Sequence, residues 1–153
     1  MDKLIIEGGY PLRGEVNISG AKNSAVAILP AALLAGAPCT IKNLPDIKDV
    51  ANIIDILTQL GAEIRREGHD RVVINSNTVN TYKVDLELSK KLRASYYFLG
   101  ALLGRYKKAE VPFPGGCDIG VRPIDQHIKG FKALGAKINI EHGIIRAEAD
   151  ELV

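Results

Sequence analysis

The chain has no tryptophan, one methionine, three phenylalanines and five tyrosines among 153 residues. No row of rings for stacking nucleobases stands out. The formal net charge of +2 is too small to argue for a nucleic acid or a membrane surface as partner. Cysteine is scarce. Cys39 and Cys117 show neither metal-ligand spacing nor a disulfide pattern, which fits a reduced, cytoplasmic setting. Long apolar runs are also missing. Ala25 to Ala35 is apolar but is broken by Pro30 and stopped by Gly36, well short of the roughly 20 residues of a membrane span. Leu4-Ile5-Ile6 is too short for a signal peptide. What is present, 46% hydrophobic and 25% charged residues, describes a soluble chain long enough for one domain with a real core.

In chain order, Leu4-Ile5-Ile6 predicts a first strand and the alternating Gly14-Glu15-Val16-Asn17-Ile18 a second. Ser19 to Ser24 opens a helix running to Leu33 or Leu34, with Ser19 or Ser24 as N-cap, a kink at Pro30 and burial nearly all round. Pro38 to Leu44 predicts a strand, with Cys39 as a small buried hydrophobe. Asp46 or Asp49 starts a helix whose Val50, Ile53, Ile54, Leu57 and Leu60 recur at helical spacing until Gly61 stops it. Two strands follow, Ala62 to Arg66 and Arg71 to Asn75, around a Glu67-Gly68-His69-Asp70 turn.

The chain then starts again. Leu60-Gly61-Ala62-Glu63-Ile64 is matched by Leu134-Gly135-Ala136-Lys137-Ile138, and Leu29 to Leu34 by Leu99 to Gly104, at offsets of about 74 and 70 residues. Each unit reads strand, helix, strand, helix, strand, strand, the units covering about 14–76 and 84–149. The second unit carries about five extra residues in Gly115 to Val121. An enlarged glycine-rich loop where the first unit manages with a short connection points to function more than packing. It holds Cys117. Two readings of that thiol stand open, a surface cysteine in a turn, or a residue whose pKa nearby cations lower enough for proton donation or nucleophilic attack.

Three cations bear on the choice. Lys22 and Asn23 lie in the first turn of the first helix, where free N–H groups favour an anion. Arg93 occupies the matched place in the second unit, and Arg122 stands beside the cysteine loop. Together they predict convergence on one anionic ligand, with ordinary solvated residues as the alternative.

Ser19-Gly20-Ala21-Lys22-Asn23, Leu92-Arg93-Ala94-Ser95 and Pro114-Gly115-Gly116-Cys117-Asp118-Ile119-Gly120 through Arg122-Pro123-Ile124-Asp125-Gln126-His127 closely resemble the UDP-N-acetylglucosamine 1-carboxyvinyltransferase family. The resemblance runs from Met1 to Val153. It implies an α/β inside-out barrel built of such repeats. It also implies transfer of enolpyruvyl from phosphoenolpyruvate to the 3-hydroxyl of UDP-N-acetylglucosamine, with no organic cofactor and no catalytic metal. Lys22, Asn23 and Arg122 match the family's phosphoenolpyruvate contacts. Arg93, Arg122, Pro123, Ile124, Asp125 and Gln126 match its UDP-sugar contacts. Cys117 matches the loop cysteine that protonates the methylene carbon of phosphoenolpyruvate and is alkylated by fosfomycin. Two other readings compete. One is a non-catalytic fragment that at most binds the nucleotide sugar, the other a thiol redox sensor at Cys117, which leaves the three cations unexplained.

The resemblance also implies a departure. Family members are more than twice as long, with two domains of three repeats each and the site in the cleft between them. On that pattern residues 1–20 supply strands belonging to the second domain, and residues 21–153 are a partial first domain. The carboxylate base for the sugar hydroxyl falls in the remainder of the enzyme. The chain is therefore expected not to turn over alone, and Leu4 to Ile6 to lack sheet partners.

Overall fold

The computed structural model describes residues 3–113 and 124–153. Helix α1, Lys22–Ala31, is capped by the backbone of Ala21 with no side-chain hydrogen bond, so neither Ser19 nor Ser24 serves as N-cap. It buries one face (Ala25, Val26, Leu29 and Pro30) and leaves Ile28 half-exposed, which corrects the expectation of all-round burial. Pro30 sits in the last turn, and the chain tightens at once into the 3-10 turn Ala32–Leu34.

Strand β1, Cys39–Ile41, leads to α2, Lys48–Gln59. The expected stripe is realised there, with Val50, Ile53, Ile54 and Leu57 buried together with Ile56 and Leu60. Gly61 ends the run at φ +100°, where any other residue would be strained and the Thr78 carbonyl lies close by. Strands β2, Glu63–Arg66, and β3, Val72–Asn75, form the expected hairpin. Cys39 is half-buried and its thiol meets the Ala37 carbonyl.

The second unit opens with a short helix the pattern did not suggest, α3, Leu86–Lys90. Asp85 Oδ1 caps it by accepting from the backbone N–H of Glu87 (2.9 Å) and Leu88 (3.0 Å). A 3-10 turn, Arg93–Tyr96, runs into α4, Tyr97–Tyr106, and then β4, Lys108–Pro112. Helix α5, Asp125–Ala133, and strands β5, Lys137–Glu141, and β6, Ile144–Glu148, complete it. Both sheets are antiparallel with the same order, β1-β3-β2 and β4-β6-β5.

The strands expected at residues 4–6 and 14–18 do not form. Alternation supplies the side chains of a strand, but a strand also needs a neighbour for its N–H and C=O groups, and among the described residues none pairs with these segments. Leu4 is 91% and Leu12 96% exposed, and Ile6, Val16 and Ile18 are similarly bare. The second unit keeps a trace of its first strand. Lys83 makes a single parallel bridge to Glu110, the Val84 N–H donating to the Glu110 carbonyl and the Glu110 N–H to the Tyr82 carbonyl, each at 2.9 Å.

One core runs through both units, with Leu29 and Leu33, Ile53, Ile56 and Leu57, and Phe98, Leu99, Leu102 and Leu103 all buried. Helix α1 packs on α2 and on α4. Arg105, at the end of α4, ties the units together by donating from Nη1 to the carbonyls of Leu33 and Ala35, both at 2.6 Å, and to Ser76 Oγ at 3.0 Å. The end of a helix leaves such carbonyls without partners inside the helix, and here a guanidinium meets them with charge-assisted bonds, Ala35 also accepting from Ser76 Oγ at 3.0 Å. Among the described residues no helix is long and apolar enough to cross a membrane, and no three His, Cys, Asp or Glu side chains gather as metal ligands.

Candidate functional site

The two units meet around a cavity of about 330 Å³ lined by Lys22, Asn23, Val26 and Asp49 from the first unit and Arg93, Ala94, Tyr96, Tyr97, Ile124 and His127 from the second. Each side chain arrives there for a local reason. A Cβ at Gly20 would fall on the Asn43 carbonyl, and Asn43 itself holds φ +56°. Only a glycine lets the chain pass this backbone and turn into α1, which sets the rim position of Lys22 and Asn23. Both are exposed at the helix start, while Val26, one turn on, is buried beneath them.

Arg93 is carried between two anchors. Leu92 is buried on one side. On the other, buried Ser89 and Ser95 bond through their hydroxyls at 3.0 Å, and Ser89 Oγ also reaches the Pro112 carbonyl at 3.4 Å. This polar pair inside the core is satisfied and pins the 3-10 turn to the end of β4. Helix α2 braces the same region. Asn52 Nδ2 donates to the Lys91 carbonyl at 3.3 Å, and Gln59 bonds the Lys83 carbonyl and the Asp85 N–H.

Charge across the cavity is uneven. Lys22 Nζ pairs with Asp49 Oδ2 at 2.5 Å. Arg93 has no carboxylate within ion-pair distance among the described residues, so it supplies the open positive charge. From the same turn as Arg93, the Tyr96 ring stands 5.0 Å from the His127 ring and 4.6 Å from that of Tyr97. A planar, anionic molecule meets a guanidinium, an ammonium, an amide and an aromatic wall here.

Of the residues expected in the site, Lys22, Asn23, Arg93 and Ile124 share this cavity. Asp125 and Gln126 sit in the first turn of α5 beside it, bonded to each other at 3.1 Å, and are not among its lining residues. Cys117, Arg122 and Pro123 lie outside the described residues. The sequence reading missed Asp49, Tyr96, Tyr97 and His127. His127 was within reach of it, because it lies three residues from Ile124 on one helix face. Asp49 was not, since only folding brings it to Lys22.

Comparison with known proteins decides the family. Residues 6–151 match the EPSP synthase (3-phosphoshikimate 1-carboxyvinyltransferase) family. The chain belongs to that family. It is 55% identical over 152 residues to UDP-N-acetylglucosamine 1-carboxyvinyltransferase 3 of Caldanaerobacter subterraneus subsp. tengcongensis, covering 99% of this chain and 36% of the relative. It is 56% identical over 154 residues to UDP-N-acetylglucosamine 1-carboxyvinyltransferase of Clostridium botulinum, covering 100% and 37%. The chain thus spans little more than a third of the curated relatives it matches.

Among solved structures, the enolpyruvyl transferase NikO from Streptomyces tendae superposes with a TM-score of 0.78 at 26% identity, over 95% of this chain and 32% of that one. EPSP synthase from Acinetobacter baumannii superposes with a TM-score of 0.60 at 13% identity, over 90% and 32%, a likeness of fold alone. The fold is the expected one, part of the α/β inside-out barrel of enolpyruvyl transferases.

Proposed function

We infer that the cavity binds phosphoenolpyruvate and UDP-N-acetylglucosamine. A protein of the relatives' full length would then transfer enolpyruvyl to the sugar 3-hydroxyl, opening peptidoglycan precursor synthesis in the cytoplasm. The observation that carries this reading is convergence. The pair Lys22–Asn23, Arg93 and Ile124 come from three distant stretches of sequence, match the family's substrate contacts by resemblance and line one cavity between the two units. Relatives whose names carry UDP-N-acetylglucosamine, at 55% and 56% identity, support this choice of substrate.

The chemistry suits these groups. The sugar oxygen bonds to C2 of phosphoenolpyruvate while C3 takes a proton, and a C3 proton and phosphate then leave to restore the double bond. Fixed cations hold phosphate and carboxylate through the charge build-up, and a positioned acid delivers the proton. Cys117 takes that role by resemblance, with Arg122 beside the phosphoenolpyruvate and Pro123, Asp125 and Gln126 toward the UDP-sugar. On this reading the described body is part of the first domain, and residues 1–20 pair with the second. The chain alone binds without turning over, because the base for the sugar hydroxyl comes from elsewhere in the enzyme.

Calorimetric titration of the 153-residue chain with UDP-N-acetylglucosamine, with and without phosphoenolpyruvate, tests this alongside a phosphate assay. The expected result is binding without phosphate release. Absence of binding overturns the site, and release of phosphate overturns the dependence on further residues.

A further inference from the structure

We propose that Asp49 is a positioning residue of the anion site, fixing the Lys22 ammonium over the cavity so that it meets an incoming anion already oriented. The proposal rests on the cavity being an anion site, and adds a residue that the family resemblance did not single out. Three observations carry it. The Lys22 Nζ–Asp49 Oδ2 contact, at 2.5 Å, is the shortest of the ion pairs among the described residues, and it lies in the cavity wall. The partners are unequally held, the Lys22 side chain being 59% exposed and that of Asp49 28%. Asp49 also stands in the first turn of α2, a 12-residue helix whose N-terminal dipole end stabilises a carboxylate. The firmer partner therefore sets the place of the looser one.

A flexible four-carbon stem loses much rotamer freedom when its ammonium is ordered on a ligand. Asp49 imposes that order before the ligand arrives. It occupies one of three ammonium N–H groups and leaves two for the anion. The opposing effect is repulsion between Asp49 and the anion. Arg93, with no described carboxylate to neutralise it, supplies the attraction that offsets this. The cavity thus divides the work, Arg93 drawing the anion and the Lys22–Asp49 pair directing it.

The test is phosphoenolpyruvate binding to the 153-residue chain carrying Asp49→Ala, Asp49→Asn or Asp49→Glu, each also combined with Lys22→Ala. A partly exposed pair sets the expected size, so Asp49→Ala raises the dissociation constant about two- to fivefold. Asp49→Asn, whose amide oxygen still accepts from the ammonium, lies between, and Asp49→Glu recovers part of the loss. In the Lys22→Ala background Asp49→Ala no longer weakens binding, because the favourable effect runs through Lys22 and only the repulsion of the anion is left to lose. Asn or Ala variants that bind as tightly as the parent, or more tightly, overturn the proposal and make Asp49 a competitor for Lys22. An equal loss with and without Lys22 also overturns it. If the parent chain does not bind phosphoenolpyruvate at all, the anion-site reading falls and the role of Asp49 in binding falls with it. Binding by the parent that is indifferent to Asp49 sinks the Asp49 proposal alone.

Discussion

The two units share a strand order but differ in how they hold their second helix. Helix α2 buries Val50, Ile53, Ile54, Ile56 and Leu57, whereas α5 buries none of its residues. The difference starts in composition. Lys-Asp-Val-Ala-Asn-Ile-Ile-Asp-Ile-Leu-Thr-Gln carries a full apolar stripe, and Asp-Gln-His-Ile-Lys-Gly-Phe-Lys-Ala carries only Ile128 and Phe131, both partly buried. Phe131 closes against α4 where Gly100 leaves room, since a Cβ there would come within 3.3 Å of the ring. Unit one is thus held by its core. Unit two's α5 is held by a few contacts and lends its first residues to the cavity. Repetition of a topology does not repeat its energetics, and the less anchored helix end is the one that carries His127 to the site.

The largest expected effect breaks that comparison directly. Leu57→Ala should cost about 2–5 kcal/mol of unfolding free energy as a buried truncation. Ile128→Ala in α5 should cost about 1–2 kcal/mol. Urea titrations of both variants measure this, and equal losses would mean that α5 is as deeply anchored as α2. Next comes the link between units. Arg105→Ala strands the Leu33 carbonyl and leaves that of Ala35 with Ser76 Oγ alone, and should cost about 2–3 kcal/mol. Because the guanidinium bridges both units, the melt of this variant should broaden or split, while Arg105→Lys recovers little of the geometry.

Gly20→Ala tests the entry to unit one. The added methyl collides with the Asn43 backbone, which cannot yield as a side-chain tip would. A cost of about 1–3 kcal/mol is expected, or roughly 2–4 °C of melting temperature per kcal/mol, together with weaker anion binding as Lys22 moves. Gly104→Ala should have the smallest effect. Its Cβ would come within 3.1 Å of Leu34 Cδ2, a half-exposed side-chain end that can swing aside. The gain in helix propensity, up to about 1 kcal/mol, offsets that shift, so differential scanning should find a net change within about 0.5 kcal/mol.

What the sequence made legible follows the same divide. Helix α2, its glycine stop and the two hairpins were readable because their signals are local, apolar spacing and positive-φ turns at Gly61, Gly68 and His142-Gly143. Strands do not form at 4–6 and 14–18 because a strand is a property of two segments and a sequence pattern describes only one, and the expectation that Leu4 to Ile6 lacks sheet partners holds among the described residues. The cap of α1 was misread because the close approach of Gly20 to Asn43, not a serine hydroxyl, sets where that helix begins. In the site, the cations were visible as residue types at matched helix starts. Asp49 and the Tyr96–His127 ring pair were not, because each depends on packing between two elements of one unit, α1 with α2 and the Arg93–Tyr96 turn with α5.

The central claim, one ligand site shared by both units, is tested most directly by following backbone amides in a nuclear magnetic resonance titration with phosphoenolpyruvate and then UDP-N-acetylglucosamine. The account predicts that Lys22 and Asn23 in unit one shift together with Arg93 and His127 in unit two, along one saturation curve, while the β2–β3 hairpin stays still. Shifts confined to one unit, or spread over surface lysines without saturation, would contradict it.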